Sequence, residues 1–158
     1  MNRLGRVSTA SAALCLLVMT TACVPEANAQ LSPPEQAALN AGVSNYAEIL
    51  SATLEGKDAP ANSNDKRIAA ESFGYVRSTY REAGINIADS QVVVTVRDAT
   101  MQNGQIVANV DVAATMFTRE NGNQASAESE FTDPHELTFH PTDNGYALVS
   151  DVLGSPID

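Results

Sequence analysis

Asn-Gly occurs at 103–104, 121–122 and 144–145, and these three dipeptides constrain the fold of this 158-residue chain more than any other feature. Asparagine and glycine both tolerate positive φ, which the centre of a tight hairpin turn demands. From Gln91 onward the apolar residues recur with period two, so four strands are predicted over 92–100, 106–119, 125–140 and 146–153. In the second, Ile106, Ala108, Val110, Val112, Ala114 and Met116 share one face, whereas Val107, Asn109, Asp111, Ala113 and Thr115 share the other. One face is built for a core and the other is mixed. Turns spaced by about twenty residues suit long hairpins rather than repeated blades.

Before the strands the period is helical. Ser32-Pro33-Pro34-Glu35 is a capping box with proline at the first helical position, where its missing N–H costs nothing. Leu39, Val43, Tyr46, Leu50 and Leu54 then gather on one helix face, and Gly56 offers a stop. Residues 57–64, with Pro60, read as a loop. A second helix is predicted over 65–83, with a stripe of Ala69, Phe73, Val76, Tyr80 and Ala83, and with Gly84 as its C-terminal cap. Gly74 inside that helix lowers its stability by about 1 kcal/mol relative to alanine, so it is expected to mark close packing. The economical architecture is α+β, two N-terminal helices laid across a curved four-stranded antiparallel meander.

The N-terminal 29 residues have a different character. Arg3 and Arg6 precede an apolar run over 10–24, and Ala27-Asn28-Ala29 is a small-x-small end. That is the three-part pattern of a secretion signal cleaved before Gln30, too short to serve as an ordinary membrane span. Residues 30–158 then form one α+β domain, long enough for a core of its own. A rival reading of the same segment takes Thr20-Thr21-Ala22-Cys23 as a lipobox, with a lipoprotein signal over 1–22 and Cys23 acylated; Thr20 stands where an aliphatic residue is expected. In either case the folded part lacks a disulfide and a thiol nucleophile. Of nine basic and nineteen acidic residues, two and one go with the signal, leaving a net charge of −11. Such a surface repels phosphate backbones and anionic lipid, so nucleic acid is excluded as a partner, and a membrane is a partner only if Cys23 is lipidated.

Two N-terminal helices followed by long antiparallel strands resemble the nuclear-transport-factor-2-like superfamily, a cone-shaped α+β fold whose members place acids and histidines in an internal cavity. More narrowly, Glu136-Leu137-Thr138-Phe139-His140 followed by Asn144-Gly145-Tyr146-Ala147-Leu148-Val149-Ser150-Asp151 is similar to the closing hairpin of that class and of the non-catalytic leader regions of some secreted actinobacterial amidase-domain proteins. The chain departs from the superfamily in showing no obvious additional helix or early strand. No catalytic domain follows the hairpin before Asp158, so the amidase activity of such relatives is not expected here.

Catalytic patterns are mostly set aside. Ser63-Asn64-Asp65-Lys66 has the spacing of serine acyl-transfer enzymes, but the companion elements are missing and a polar residue there is expected for helix capping. His135 and His140 would point to opposite faces of a strand, which argues against a shared metal. Asp143-Asn144-Gly145 lacks the alternating oxygen ligands of a calcium loop. Asp133 and His135 remain as catalytic candidates. On a regular strand they share a face with Phe131, Leu137 and Phe139, where a carboxylate could orient an imidazole for acid–base chemistry. Pro134 between them favours instead a kink that leaves both in water.

Tyr46, Phe73 and Tyr80 are candidate ligand-pocket residues, with Tyr75 beside them, between helices and sheet. The chain has eight aromatics and no tryptophan, which disfavours stacking on carbohydrate. The leading functional reading is an exported, non-enzymatic accessory or binding domain for an unknown protein or small ligand at the cell envelope, with no cofactor and no metal. One alternative is a cofactor-free lyase, isomerase or hydrolase using Asp133 and His135, and another is a lipid-anchored component of an envelope complex. An inward His135 beside an enclosed pocket favours the enzyme; a filled core with both residues in water favours the binding domain.

Overall fold

Helix α1 (Pro33–Glu55) starts where the capping box places it. The backbone N–H and the hydroxyl of Ser32 both donate to the Glu35 carboxylate at 2.7 Å, and these bonds hold Glu35 below the usual carboxylate range. Gly56 ends the helix at φ 70, a left-handed conformation that costs glycine nothing. Leu39, Val43, Tyr46, Ile49, Leu50 and Leu54 are all buried on its inner face. In helix α2 (Ser63–Glu82), Asn62 caps the N-terminus by accepting from the backbone N–H groups of Asn64 and Asp65, each at 2.9 Å. The helix therefore begins two residues before the predicted position, because Asn62 rather than its successors supplies the cap. Ala83, expected on the buried stripe, is exposed at the helix end.

The computed structural model describes residues 30–59, 61–120 and 126–154, with the side chain of Ser126 left aside. The predicted signal segment with Cys23, Pro60 and the Asn121-Gly122 turn lie outside the described residues. No helix among the described residues is long and apolar enough to cross a membrane.

Strands β1 (Ile85–Gln102), β2 (Gln105–Glu120), β3 (Ser126–Thr142) and β4 (Gly145–Leu153) form one antiparallel sheet in the order β1-β2-β3-β4. The expected α+β architecture is the observed one, with both helices packed on the sheet. Asn103 at φ 51 and Gly104 at φ 77 form the first hairpin turn. At the last hairpin the turn falls on Asp143-Asn144, one residue before the dipeptide, and Gly145 at φ 127 already pairs with Thr142. Strand β1 starts at Ile85, well before the predicted 92. Register shifts at Ala88 and Arg97 interrupt its period of two and bend the strand.

Beneath the helices lie Ile106, Ala108, Val110, Val112, Ala114 and Met116 of β2 with Leu137 and Phe139 of β3. Phe139 sits against Gly42 of α1, where an added Cβ would lie 2.7 Å from the ring. The expected close approach at Gly74 is not found, since a Cβ there would meet no heavy atom within 4 Å. At the far end of the sheet, the Glu55 carboxylate ties α1 to β1 by accepting from the N–H and the hydroxyl of Ser90, at 2.8 and 3.0 Å.

Candidate functional site

The site begins with one extra residue in β4. Thr138 pairs with Ser150 and Phe139 with Leu148, so Val149 has no partner and the strand changes phase there. Before the bulge Leu148 faces the core. Uninterrupted alternation would then turn Ser150 and Val152 inward. The bulge turns Asp151 inward instead, opposite Leu137, with its side chain fully shielded from solvent, and leaves Val152 55% exposed.

Asp151 is held from two sides. Its Oδ1 lies 2.6 Å from Nδ1 of His135, and the hydroxyl of Tyr46, on α1, donates to its Oδ2. Burial, then the charge of Asp151, push the Tyr46 phenol far above its ordinary range, so Tyr46 keeps its proton and acts as the donor. His135 is 4% exposed and stacks on Phe73, the ring centroids 5.2 Å apart; Phe73 stacks in turn on Phe131 at 5.9 Å. A carboxylate can only accept, so an ionised Asp151 accepts from an imidazole proton on Nδ1. Nε2 is then left over, buried and without a hydrogen-bond partner. Leaving a buried polar atom unsatisfied costs about 1–3 kcal/mol.

A cleft of about 360 Å³ opens beside this network, between the middle of α2, the middle of β3 and the end of β4. Phe73, His135 and Asp151 are its buried lining, Tyr75, Val152 and Leu153 its exposed apolar rim, and Glu71, Ser72 and Asp133 its polar side. Glu71 is gripped by Arg67 through two contacts of 2.7 Å. A second cavity, of about 230 Å³, lies on the other side of Tyr46 and includes Asn45, Asn62 and Asp65. Asp65 is 7% exposed; its Oδ2 accepts from the Asn62 amide at 2.8 Å, its Oδ1 has no partner, and burial pushes the carboxyl up. No group of three or more potential metal ligands occurs among the described residues.

Asp133 and His135 do share a face of β3, and both line the cleft. The carboxylate on the imidazole is nonetheless Asp151, not Asp133. The expected kink at Pro134 is absent, because β2 and β3 pair in unbroken register from Ile106–Phe139 to Arg119–Ser126. Proline is tolerated because β4 is ending: the Pro134 carbonyl takes the N–H of Gly154 at 2.7 Å, and the N–H that proline lacks would have pointed to that same side, past the last strand residue. Phe73 and Tyr75 line the cleft, Tyr46 does not line it but bonds Asp151 and borders the second cavity, and Tyr80 lies apart with its hydroxyl 2.9 Å from Ser129. His140 is exposed, and Lys66 pairs with Asp58 at 2.6 Å at the start of α2. Asp151 escaped the sequence reading. Its one signal is an acid set in the apolar run Tyr146-Ala147-Leu148-Val149-Ser150-Asp151-Val152-Leu153.

No family model and no curated protein matches the sequence. Among solved structures, the fold is similar to the Kfla4162 protein from Kribbella flavida, at a TM-score of 0.51 and 13% identity over 75% of this chain and 88% of that one. It is also similar to the intermembrane space region of the chloroplast protein ARC6, at a TM-score of 0.48 and 13% identity over 80% of this chain and 99% of that one. These likenesses concern the α+β fold alone.

Proposed function

We propose that this chain is an exported, non-enzymatic binding domain that takes a small ligand in the cleft between α2, the middle of β3 and the end of β4. One observation carries the reading: a bulge turns Asp151 inward, where it fixes His135 and leaves a single unpartnered nitrogen beside a cleft rimmed by exposed Tyr75, Val152 and Leu153. Ligand sites are typically apolar concavities with a few fixed polar groups, and this cleft has that composition. A cavity holding an acid and a histidine also agrees with the nuclear-transport-factor-2-like resemblance. Export rests on Arg3, Arg6, the apolar run over 10–24 and Ala27-Asn28-Ala29.

The experiment is an NMR titration of the secreted protein with a fragment library. Shifts confined to Tyr75, Val152, Leu153 and the His135 ring support the reading, and shifts that consistently avoid the cleft overturn it. Intact mass of the same sample tests the address: a product starting at Gln30 is soluble, whereas an acylated Cys23 makes the chain a lipid-anchored envelope component.

The Asp151–His135 contact favours one second reading, a cofactor-free enzyme in which Nε2 serves as the base. Consumption of a cleft-bound compound, abolished in His135→Gln while binding persists, would replace the binding reading with this one.

A further inference from the structure

We infer that the cleft selects a small protonated amine carrying an apolar body. The inference rests on the cleft being the ligand site and specifies what enters it. His135 lines the cleft with Nδ1 held on Asp151, and its Nε2, buried and without a partner among the described residues, is an acceptor in the neutral imidazole. Asp133 lines the same cleft and has no hydrogen-bond or ion-pair partner among the described residues, so it adds a second acceptor and a negative charge. The two residues are two apart on one face of β3. Their stems are therefore about 6.6 Å apart at the usual rise per residue, which sets the carboxylate and the imidazole side by side on one wall of the cleft.

The charges around the cleft point the same way. No lysine or arginine lines it; Arg67 reaches it only through Glu71, whose charge it offsets, while Asp151 stays beneath as a further carboxylate. Apart from His135 Nδ1, side-chain donors on the lining are limited to the hydroxyls of Ser72 and Tyr75. An anionic ligand would meet carboxylates with almost nothing to donate to it. Tyr75 offers an exposed ring that attracts a cation, and Val152 and Leu153 extend the apolar surface for its body. A volume of about 360 Å³ holds an amine of the size of 2-phenylethylamine.

The test titrates the secreted protein at neutral pH with 2-phenylethylammonium, 2-phenylethanol and 3-phenylpropionate, read by NMR at the cleft residues and at His135 Nε2. The expected result is that the amine binds about tenfold more tightly than the alcohol, the carboxylate does not bind, and the Nε2 resonance moves on adding the amine. Asp133→Asn, at a partly exposed position, removes the amine's advantage over the alcohol. Equal affinity for amine and alcohol, preference for the carboxylate, or an amine advantage that survives Asp133→Asn overturns the inference while the cleft stands as a ligand site. Silence from all three probes overturns the inference and counts against the cleft as well.

Discussion

Strands β2 and β4 lie in the same sheet and obey opposite rules. In β2 every second residue from Ile106 to Met116 is apolar and at most 2% exposed, and its pairing with β3 has no irregularity. In β4 one unpaired valine reverses the phase, so that a carboxylate goes in and Val152 goes out. Burying a valine is worth about 1.5–3 kcal/mol, and the bulge forgoes much of that to bring Asp151 to His135 and Tyr46. A strand that follows its apolar pattern builds the core. A strand that breaks its pattern to bury an acid marks the place where stability gives way to a site.

Asp151→Ala is the strongest way to break this comparison. It strips the partner from a buried imidazole and a buried phenol at once, and a loss of about 3–5 kcal/mol is expected in urea unfolding, as when one member of a buried ion pair is removed. The matched control replaces the whole network with apolar groups, Tyr46→Phe, His135→Leu and Asp151→Leu together. It should fold about as stably as the parent, since well-packed apolar replacements of buried polar networks are often neutral or better, yet lose cleft binding. A loss below about 1 kcal/mol for Asp151→Ala would show that the network does not hold β4 in its bulged register.

The same contrast explains what could be read in the sequence. The face of β2 was legible because nothing interrupts its alternation, and α1 because Ser32, Glu35 and Gly56 mark both of its ends. The early start of β1 was hidden by its own bulge at Ala88, which breaks the period between Ile87 and Asp89. The site was half legible. His135 and Asp133 could be placed on one face, but the true partner of His135 lies 16 residues further on, behind a bulge that no residue type announces. Pro134 misled because the rule against proline in strands turns on where the missing N–H points, and only the end of β4 decides that.

A smaller loss tests the packing of α1 on the conforming part of the sheet. Gly42→Ala drives a methyl to within 2.7 Å of the Phe139 ring, and overpacking of this kind costs about 1–3 kcal/mol. Thermal unfolding reads it, and Gly42→Ala paired with Phe139→Leu should recover part of the loss.

Smaller again is the pH response of the α1–β1 tie. Burial pushes Glu55 up, but the hydrogen bonds from Lys57 and Ser90 outweigh it and hold the carboxyl below its ordinary value of 4.5. A depressed folded pKa contributes stability above the unfolded value, and that contribution is lost as pH falls through the folded one. Glu55→Gln should therefore cost about 1.5 kcal/mol at pH 7, and the gap to the parent should close as the pH falls below the ordinary 4.5. Asp65 carries the opposite sign, because burial raises its pKa and its contribution fades as pH rises. Urea unfolding of Glu55→Gln and Asp65→Asn from pH 3 to pH 7 separates the two.

The smallest expected effect is a gain. Gly74 lies inside α2, next to Phe73, which lines the cleft, and to Tyr75 at its rim, yet a Cβ at Gly74 meets nothing within 4 Å. Alanine there should stabilise the protein by about 0.5–1 kcal/mol through helix propensity and the reduced entropy of the unfolded chain. Nothing in the packing of the helix asks for glycine. If Gly74→Ala raises the melting temperature and leaves the affinity for 2-phenylethylammonium unchanged, α2 is a fixed wall of the site. If it raises the melting temperature and weakens the amine, the helix must flex at Gly74 to admit the ligand, and the contrast between a rigid core and a yielding site extends from β4 to the helix facing it.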